Sequence, residues 1–187
     1  MISIGIDPSI NSSAVTILYN GKIHKGILIQ DHKTYVHTKK RLPEGPYKTV
    51  EYQKDTTKTD QAKTRNFNSI SDIIINFIKE EIESLRPKEI LISIEGLSYG
   101  LKGNSIFDLA GLHYVITCKI AKELFLECKT YPPYSLKMEV TGNGAASKED
   151  MINAFELTTC LKISENGAKV DDLCDSYWLA KVALEDL

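Results

Sequence analysis

An Asn-Gly dipeptide separates two apolar, strand-like runs near the start of the chain. The runs cover residues 14–19 and 22–29, and Asn20-Gly21 is a pair that the type I′ turns of β-hairpins favour. A third apolar run precedes them at residues 2–6. The sequence therefore predicts that the chain begins with three antiparallel strands, which commits the remainder to a fold built on a sheet.

Helical and strand-like patterns alternate farther along the chain. Apolar residues recur at helical spacing from Ile70 to Ile82, with Ser69 and Asp72 as a candidate capping box. Five more elements follow in order: a strand at residues 89–95, a helix at about 105–126, a short strand at 127–131, and helices at about 147–157 and 170–184. A strand–helix–strand order implies parallel pairing. We predict one α/β domain over residues 1–187, with a mixed five-stranded sheet, antiparallel and then parallel, flanked by helices.

Residues 31–65 interrupt these patterns. The segment is polar, with two prolines and a glycine at positions 43–46, and is predicted to be an extended arm or long loop. Aromatic residues and a valine at positions 47–52 could form a short hairpin there. From Lys33 to Arg65 there are nine Lys or Arg and four acidic residues, a net charge of +5. Such an arm fits contact with nucleic acid, and a solvated lysine-rich loop explains the charge equally well.

Composition and cysteine spacing limit the class of protein. At 187 residues the chain is long enough for a single core. It has no apolar run of about 18 residues or more and no signal-peptide pattern at its start, so we expect a cytoplasmic protein. The four cysteines form no C-x-x-C pair and lie in apolar segments. We expect them to be buried, reduced thiols rather than disulfides or zinc ligands.

Four acidic residues stand where carboxylates can converge. Asp7 and Glu95 each end an apolar run, and Asp172 and Asp175 lie three apart in a predicted helix, on one face. Asp171 and Asp175 would share a face as well. A turn-forming role for Asp7, a salt bridge for Glu95 and helix-dipole stabilisation by the C-terminal acids are the alternatives. Converging carboxylates suit hard divalent cations, and hence metal-assisted phosphoryl chemistry.

Four short segments also carry a resemblance to a known family. Residues 4–9 read IGIDPS, residues 94–96 read IEG, residues 140–148 read VTGNGAASK, and residues 172–180 read DLCDSYWLA. In this order and at these spacings, they resemble the motifs of RuvC-type Holliday junction resolvases, which are part of the RNase H-like superfamily. The resemblance covers nearly the whole chain and implies an RNase H-like fold.

The resemblance also implies an activity and a metal site. It implies a Mg²⁺-dependent endodeoxyribonuclease that nicks Holliday junctions or other branched DNA. Two Mg²⁺ ions, for which Mn²⁺ could substitute, would be held by Asp7, Glu95, Asp172 and Asp175. Lys148 matches the family's lysine after the glycine-containing loop and would stabilise charge on the scissile phosphate. Asp171 would then be a bystander or a residue behind the ligands.

Substrate contacts and assembly follow from the same resemblance. Lys137 matches an earlier family lysine by a looser alignment, with a solvated surface lysine as the alternative. Tyr99 is a candidate to stack on an unpaired base, and a plain loop tyrosine is the alternative there. Further candidate contacts to DNA are Lys102 and the basic-arm residues Lys39, Lys40 and Arg41. Resolvases of this type act as homodimers, with the helix at about 105–126 as the candidate interface.

Two departures from the family pattern point to a divergent, for example phage-encoded, member. Ser9 stands where a glycine is usual, and the arm at residues 31–65 is longer than in the bacterial pattern. Two alternative functions therefore stay open. One is an RNase H-like nuclease that acts on RNA or RNA–DNA hybrids, and the other is a non-catalytic module that binds branched DNA.

Overall fold

The computed structural model describes residues 1–38, 42, 45–97, 104–163 and 171–185. The strands are β1 (Ile2–Asp7), β2 (Ser12–Tyr19), β3 (Lys22–Asp31), β4 (Tyr47–Tyr52), β5 (Ile90–Glu95) and β6 (Lys129–Tyr131). The helices are α1 (His32–Thr38), α2 (Asp60–Leu85), α3 (Asn104–Lys119), α4 (Pro133–Thr141), α5 (Lys148–Thr159) and α6 (Asp171–Glu185). A π-helical stretch, Ile120–Leu124, continues α3.

The six strands form one mixed sheet in the order β4-β3-β2-β1-β5-β6. Strands β1, β2 and β3 pair antiparallel, and β5 and β6 join in parallel, which confirms the predicted α/β fold. The turn between β2 and β3 has Asn20 at φ 50° and Gly21 at φ 77°. Both residues are left-handed, as a type I′ turn requires, so the hairpin prediction from this dipeptide is confirmed.

The prediction of an extended arm at residues 31–65 is wrong. The segment contains α1, β4 and the start of α2, so the sheet has six strands rather than five. Residues 47–52 form one strand, parallel to β3, instead of a hairpin. Tyr47 and Tyr52 explain this outcome, because both side chains are only 6% exposed and provide the edge strand with apolar anchors in a polar sequence.

Two helix assignments also need correction. Helix α2 begins at Asp60, where the Thr59 side chain accepts a hydrogen bond from the Ala62 amide at 3.1 Å, and not near Ser69. Its first turns are polar, so hydrophobic spacing gave no sign of them. Helix α4 was missed because Pro132-Pro133 looked like a stop signal; proline in the first turn in fact favours a helix start.

The cysteines and the helix lengths bear on two further expectations. All four cysteines are free. Cys174 is buried and Cys128 half-buried, whereas Cys118 and Cys160 are exposed, so the prediction of four buried thiols is wrong for these two. Within the described part of the chain, no helix is both long and apolar enough to cross a membrane.

The two faces of the sheet have different packing partners. The isoleucines of β1 and β5 pack with residues of α2 and α3 in one apolar cluster. The opposite face carries α6, which contacts β1, β2 and β5 and is backed by α5. Because side chains alternate along a strand, Ser3, Gly5 and Asp7 of β1 all point toward α6.

Small polar residues let α6 come close to the centre of the sheet. Ser3 Oγ donates to the Ala180 carbonyl at 2.6 Å, and Ser93 Oγ donates to the Leu179 carbonyl at 2.7 Å. At Gly5 the fit is tighter still, since an added Cβ would overlap the backbone of Ser176 and Ala180. Helix α6 is therefore fixed against β1 and β5 by backbone contacts that larger side chains would prevent.

We predict that Gly5→Ala destabilises the protein by about 3 kcal/mol, the upper part of the usual range for overpacking, because backbone atoms cannot move aside as a side chain can. Urea denaturation followed by circular dichroism measures this. Gly45→Ala is the matched control, since a Cβ there meets no atom within 4 Å. Equal midpoints for the two variants would contradict the packing account.

Candidate active site

Four carboxylates meet at the carboxyl edge of the parallel strands. The last paired residues of β1 and β5 are Ile6 and Ile94, so Asp7 and Glu95 follow at adjacent positions. Asp7 lies two residues after Gly5, and Glu95 lies two residues after Ser93. Gly5 and Ser93 both face α6, so the side chains of Asp7 and Glu95 point to that same side of the sheet.

Helix α6 supplies the other two carboxylates. Ser176 lies against Gly5 of β1, and Asp172 and Asp175 precede it in the first turns of the helix. All four acids line one cavity of about 530 Å³. The structure thus brings together Asp7, Glu95, Asp172 and Asp175, which are up to 168 positions apart in the sequence.

The carboxylates of the cavity repel one another. Burial raises the pKa of Asp7 well above its ordinary value, and the charges of Glu95, Asp172 and Asp175 raise it further. The pKa of Glu95 is raised mainly by burial as well. A hydrogen bond shared with Asp7 and the nearby lysines partly offset that rise.

The two helical acids show the same effect. Burial is the largest cause that raises the pKa of Asp172 and of Asp175, each to about 7. The Ser12 hydroxyl opposes the rise for Asp172, and Glu95 and Asp171 add to it for Asp175. Full ionisation of all four acids is therefore unfavourable near neutral pH, and a bound cation would favour the ionised carboxylates.

The four carboxylates are the kind of ligand that a hard divalent cation prefers, although their side chains are not arranged around a single ion position. In the described ranges, no group of three or more Asp, Glu, His or Cys side chains is arranged to hold a metal ion. The four acids nevertheless offer only oxygen donors, the kind that Mg²⁺ and Mn²⁺ prefer over nitrogen or sulfur. Their role as metal ligands stays a prediction.

Lysines surround the acidic cluster from three different elements. Lys148, at the start of α5, forms an ion pair with Asp171 that raises the pKa of Lys148. Asp171 is thus the anchor of Lys148 and not a bystander. Lys137 on α4 donates to the Ala146 carbonyl at 2.8 Å, and Lys54, which follows β4, donates to Asn11 Oδ1 at 2.5 Å. All three lysines line the cavity.

Sequence reasoning missed several neighbours of the site. His113 was read only as a core residue, but its Nδ1 donates to the Glu95 carbonyl at 3.1 Å and so holds the end of β5. Burial lowers the pKa of His113, which keeps this imidazole neutral near pH 7. Lys54 and Ser12 were missed because their place at the site depends on β4 and β2. If β4 had been predicted from the sequence, Lys54 would have been expected at the same edge of the sheet as Asp7.

The serine at position 9 is accommodated without strain. Its backbone is not left-handed, so a glycine is not required there. Ser13 Oγ donates to the Ser9 carbonyl at 2.6 Å, and the Ser9 amide donates back to Ser13 Oγ at 2.9 Å. These bonds fix the loop that directly follows Asp7.

Five of the proposed substrate contacts lie outside the residues that the structure describes. They are Lys39, Lys40, Arg41, Tyr99 and Lys102. Their roles stay predictions from the sequence.

The sequence is similar to a curated protein over part of its length. No family model matches the chain. It is 33% identical over 89 residues to the crossover junction endodeoxyribonuclease RuvC of Aliarcobacter butzleri (strain RM4018). The match covers 48% of this chain and 55% of that relative, so the chain spans little more than half the length of the curated relative that it matches.

Solved structures match nearly the whole chain. The structure of Thermus thermophilus RuvC aligns with a TM-score of 0.60 at 16% identity, over 97% of this chain and 92% of that one. The T. thermophilus RuvC structure in complex with a Holliday junction substrate aligns with a TM-score of 0.58 at 17% identity, over 97% and 91%. At these identities the matches show the fold. Together with the sequence match, they confirm the resemblance to RuvC that the four motifs predicted.

We predict that Asp7→Asn raises the free energy of unfolding when divalent ions are removed with EDTA. A carboxylate whose pKa is raised by folding stabilises the protein only while protonated, so its contribution is lost as the pH rises through the folded-state value. The pKa values of Asp172 and Asp175 are raised from 3.8 to about 7, so the stability of the unsubstituted protein should fall as the pH rises between these two values, and that of the variant should fall less.

Asp150→Asn is the control, measured by the same urea titrations. The pKa of Asp150 is lowered by its hydrogen bonds to Ser147, so its carboxylate stabilises the fold and its loss should weaken it. A decrease in stability for both variants would contradict the repulsion described for the cavity.

Proposed function

We propose that this chain is a Mg²⁺-dependent, structure-selective endodeoxyribonuclease that nicks Holliday junctions or other branched DNA. The observation that carries the proposal is the convergence of Asp7, Glu95, Asp172 and Asp175 on one cavity. The RuvC-like fold and the sequence similarity to a RuvC endodeoxyribonuclease support it.

The four carboxylates would hold two divalent ions, with Mn²⁺ able to replace Mg²⁺. When bound, such ions supply an activated water and neutralise charge on the phosphate that is attacked. Asp7 and Glu95 would act from the sheet, and Asp172 and Asp175 from the first turns of α6. This division fixes the distance between the two halves of the site through the packing of α6 on β1.

The chain's own cations would act on the substrate. Lys148 and Lys137 each lower the pKa of Glu95 and of Asp175, which places both ammonium groups within electrostatic reach of the carboxylates. There they can stabilise negative charge that develops on a phosphate held against the acids. His113 would position Glu95 through the backbone, without contact to the substrate.

Branched DNA is the substrate that the comparisons favour. One of the matched RuvC structures was solved in complex with a Holliday junction substrate, and this chain aligns with it over most of its length. Cleavage of RNA or RNA–DNA hybrids by the same four acids is the alternative activity. Binding of branched DNA without cleavage is the non-catalytic alternative.

We also propose that the chain is a homodimer that pairs through α3. This helix exposes Phe107 (74%) and Tyr114 (66%), which are seven residues apart, and Cys118 four residues farther on. Residues at this spacing lie on one side of a helix. Large aromatic side chains in such a stripe are typical of a helical interface.

The activity test uses a synthetic four-way junction with each strand labelled in turn. In Mg²⁺, the unsubstituted protein should nick the junction and spare a linear duplex of the same sequence, and Asp7→Asn should lower the rate by more than about 100-fold, because a ligand on which the cations depend is lost. Asp72→Asn is the control, since Asp72 lies on the surface of α2 in an ion pair with Lys119.

The other outcomes of this test would each contradict part of the proposal. Cleavage of an RNA–DNA hybrid in preference to the junction would replace the proposal with the RNase H-like alternative. Tight binding to the junction, with no nicking in Mg²⁺ or Mn²⁺, would support a binding module. Equal nicking by Asp7→Asn and the unsubstituted protein would refute the metal-ligand assignment.

The dimer is tested by sedimentation velocity. Phe107→Asp should shift the protein from dimer to monomer, because it places a charge in the centre of the exposed stripe. Leu157→Asp is the matched control, since Leu157 is 83% exposed but lies on α5. A monomeric unsubstituted protein, or a dimer that only Leu157→Asp disrupts, would contradict the interface.

A further inference from the structure

The added strand β4 ends beside the acidic cavity. It runs parallel to β3, which is antiparallel to β2 and therefore points the same way as β1. The chain thus leaves β4 at the sheet edge where Asp7 and Glu95 lie. The segment at residues 53–59 then joins β4 to α2.

This segment is fixed in place on both sides. Tyr52 donates its hydroxyl proton to the carbonyl of Ile10, in the loop after Asp7. The Asp55 amide donates to Asn66 Oδ1 at 2.8 Å, and Asn66 Nδ2 donates to the Asp55 carbonyl at 2.9 Å. Asp55 also forms an ion pair with Arg65 at 2.6 Å. The backbone around Lys54 is therefore set by α2 and by the loop at the site.

Lys54 carries its charge into the cavity without a carboxylate partner among the described residues. Its ammonium group donates to the neutral amide oxygen of Asn11, at 2.5 Å. Of the other two lysines that line the cavity, Lys148 forms an ion pair with Asp171, and Lys137 donates to the backbone carbonyl of Ala146. Lys54 is half-buried, and an ammonium group that bonds only to a neutral amide beside an acidic cavity is suited to bind an anionic group of a substrate.

We infer that Lys54 is a phosphate-contacting residue of this site, which the added strand β4 positions. The inference rests on the proposed function, because the phosphate is that of the branched DNA held for cleavage. The carboxylates would engage the scissile phosphate through cations, and Lys54 would bind a phosphate on the side of the cavity formed by the loop at residues 8–11. Substrate binding would thus depend on β4, a strand in the segment that the sequence predicted to be an extended arm.

The test measures how junction binding depends on salt. Fluorescence anisotropy with a labelled four-way junction in Mg²⁺, in an Asp7→Asn background that blocks nicking, gives the slope of log K against log salt. Lys54→Gln should lower the magnitude of this slope by about 0.9, the value for one phosphate contact. Its loss of affinity should shrink about 3.5-fold between about 50 and about 200 mM salt.

Three comparisons separate a charge contact from a structural role. Lys54→Arg should restore the slope, because it keeps the charge. Lys88→Gln should leave the slope unchanged, since Lys88 is exposed just before β5, at the opposite edge of the sheet. The melting temperature of Lys54→Gln should equal that of its background, because glutamine can still donate to Asn11.

The result also distinguishes this inference from the proposed function. Junction binding with an unchanged slope in Lys54→Gln would overturn the role of Lys54 and leave the nuclease proposal intact. No binding of the junction by the unsubstituted protein would overturn both.

Discussion

The contact between α6 and β1 at Gly5 determines where the acids of this protein meet. Small residues line the helix-facing side of the central strands. Ser3 and Ser93 donate to backbone carbonyls of α6, Thr16 shares a hydrogen bond with the Ser176 hydroxyl, and Gly5 lies against the helix backbone. The helix therefore lies at a fixed height and rotation over the sheet. Asp172 and Asp175 reach the ends of β1 and β5 for this reason, and a displacement of α6 would separate them from Asp7 and Glu95.

The same packing lowers the stability of the fold, because it brings four carboxylates together in one cavity. Burial first, and the charges of neighbouring acids second, raise the pKa values of the four carboxylates around the cavity, so the fold contains a charge cluster that a hydrophobic site would avoid. Lysines at the rim moderate the repulsion without removing it. The extensive core of the protein offsets this cost, and a cation bound at the four carboxylates would stabilise the folded state further.

Local signals predicted most of the fold and the central residues of the site. The Asn20-Gly21 turn, the helical spacing around Ile74 and the Ser147 cap each depend on neighbours in sequence, and all three appear in the structure. Strand β4 and the first turns of α2 were missed, because their polar residues satisfy contacts with distant partners. Asn66 is an example, since it is buried in a polar stretch only because it bonds to Asp55.

The sequence by itself determined which residues are candidates for the chemistry, because residue type and motif order need no coordinates. Asp7, Glu95, Asp172 and Asp175 were identifiable from the chain alone. Only the tertiary structure decided what surrounds them: that Asp171 anchors Lys148, that His113 holds Glu95, and that Lys54 reaches the cavity from an added strand. The physical reason is that a hydrogen bond or an ion pair depends on distances of a few ångströms between residues far apart in sequence, which strand order and helix docking set.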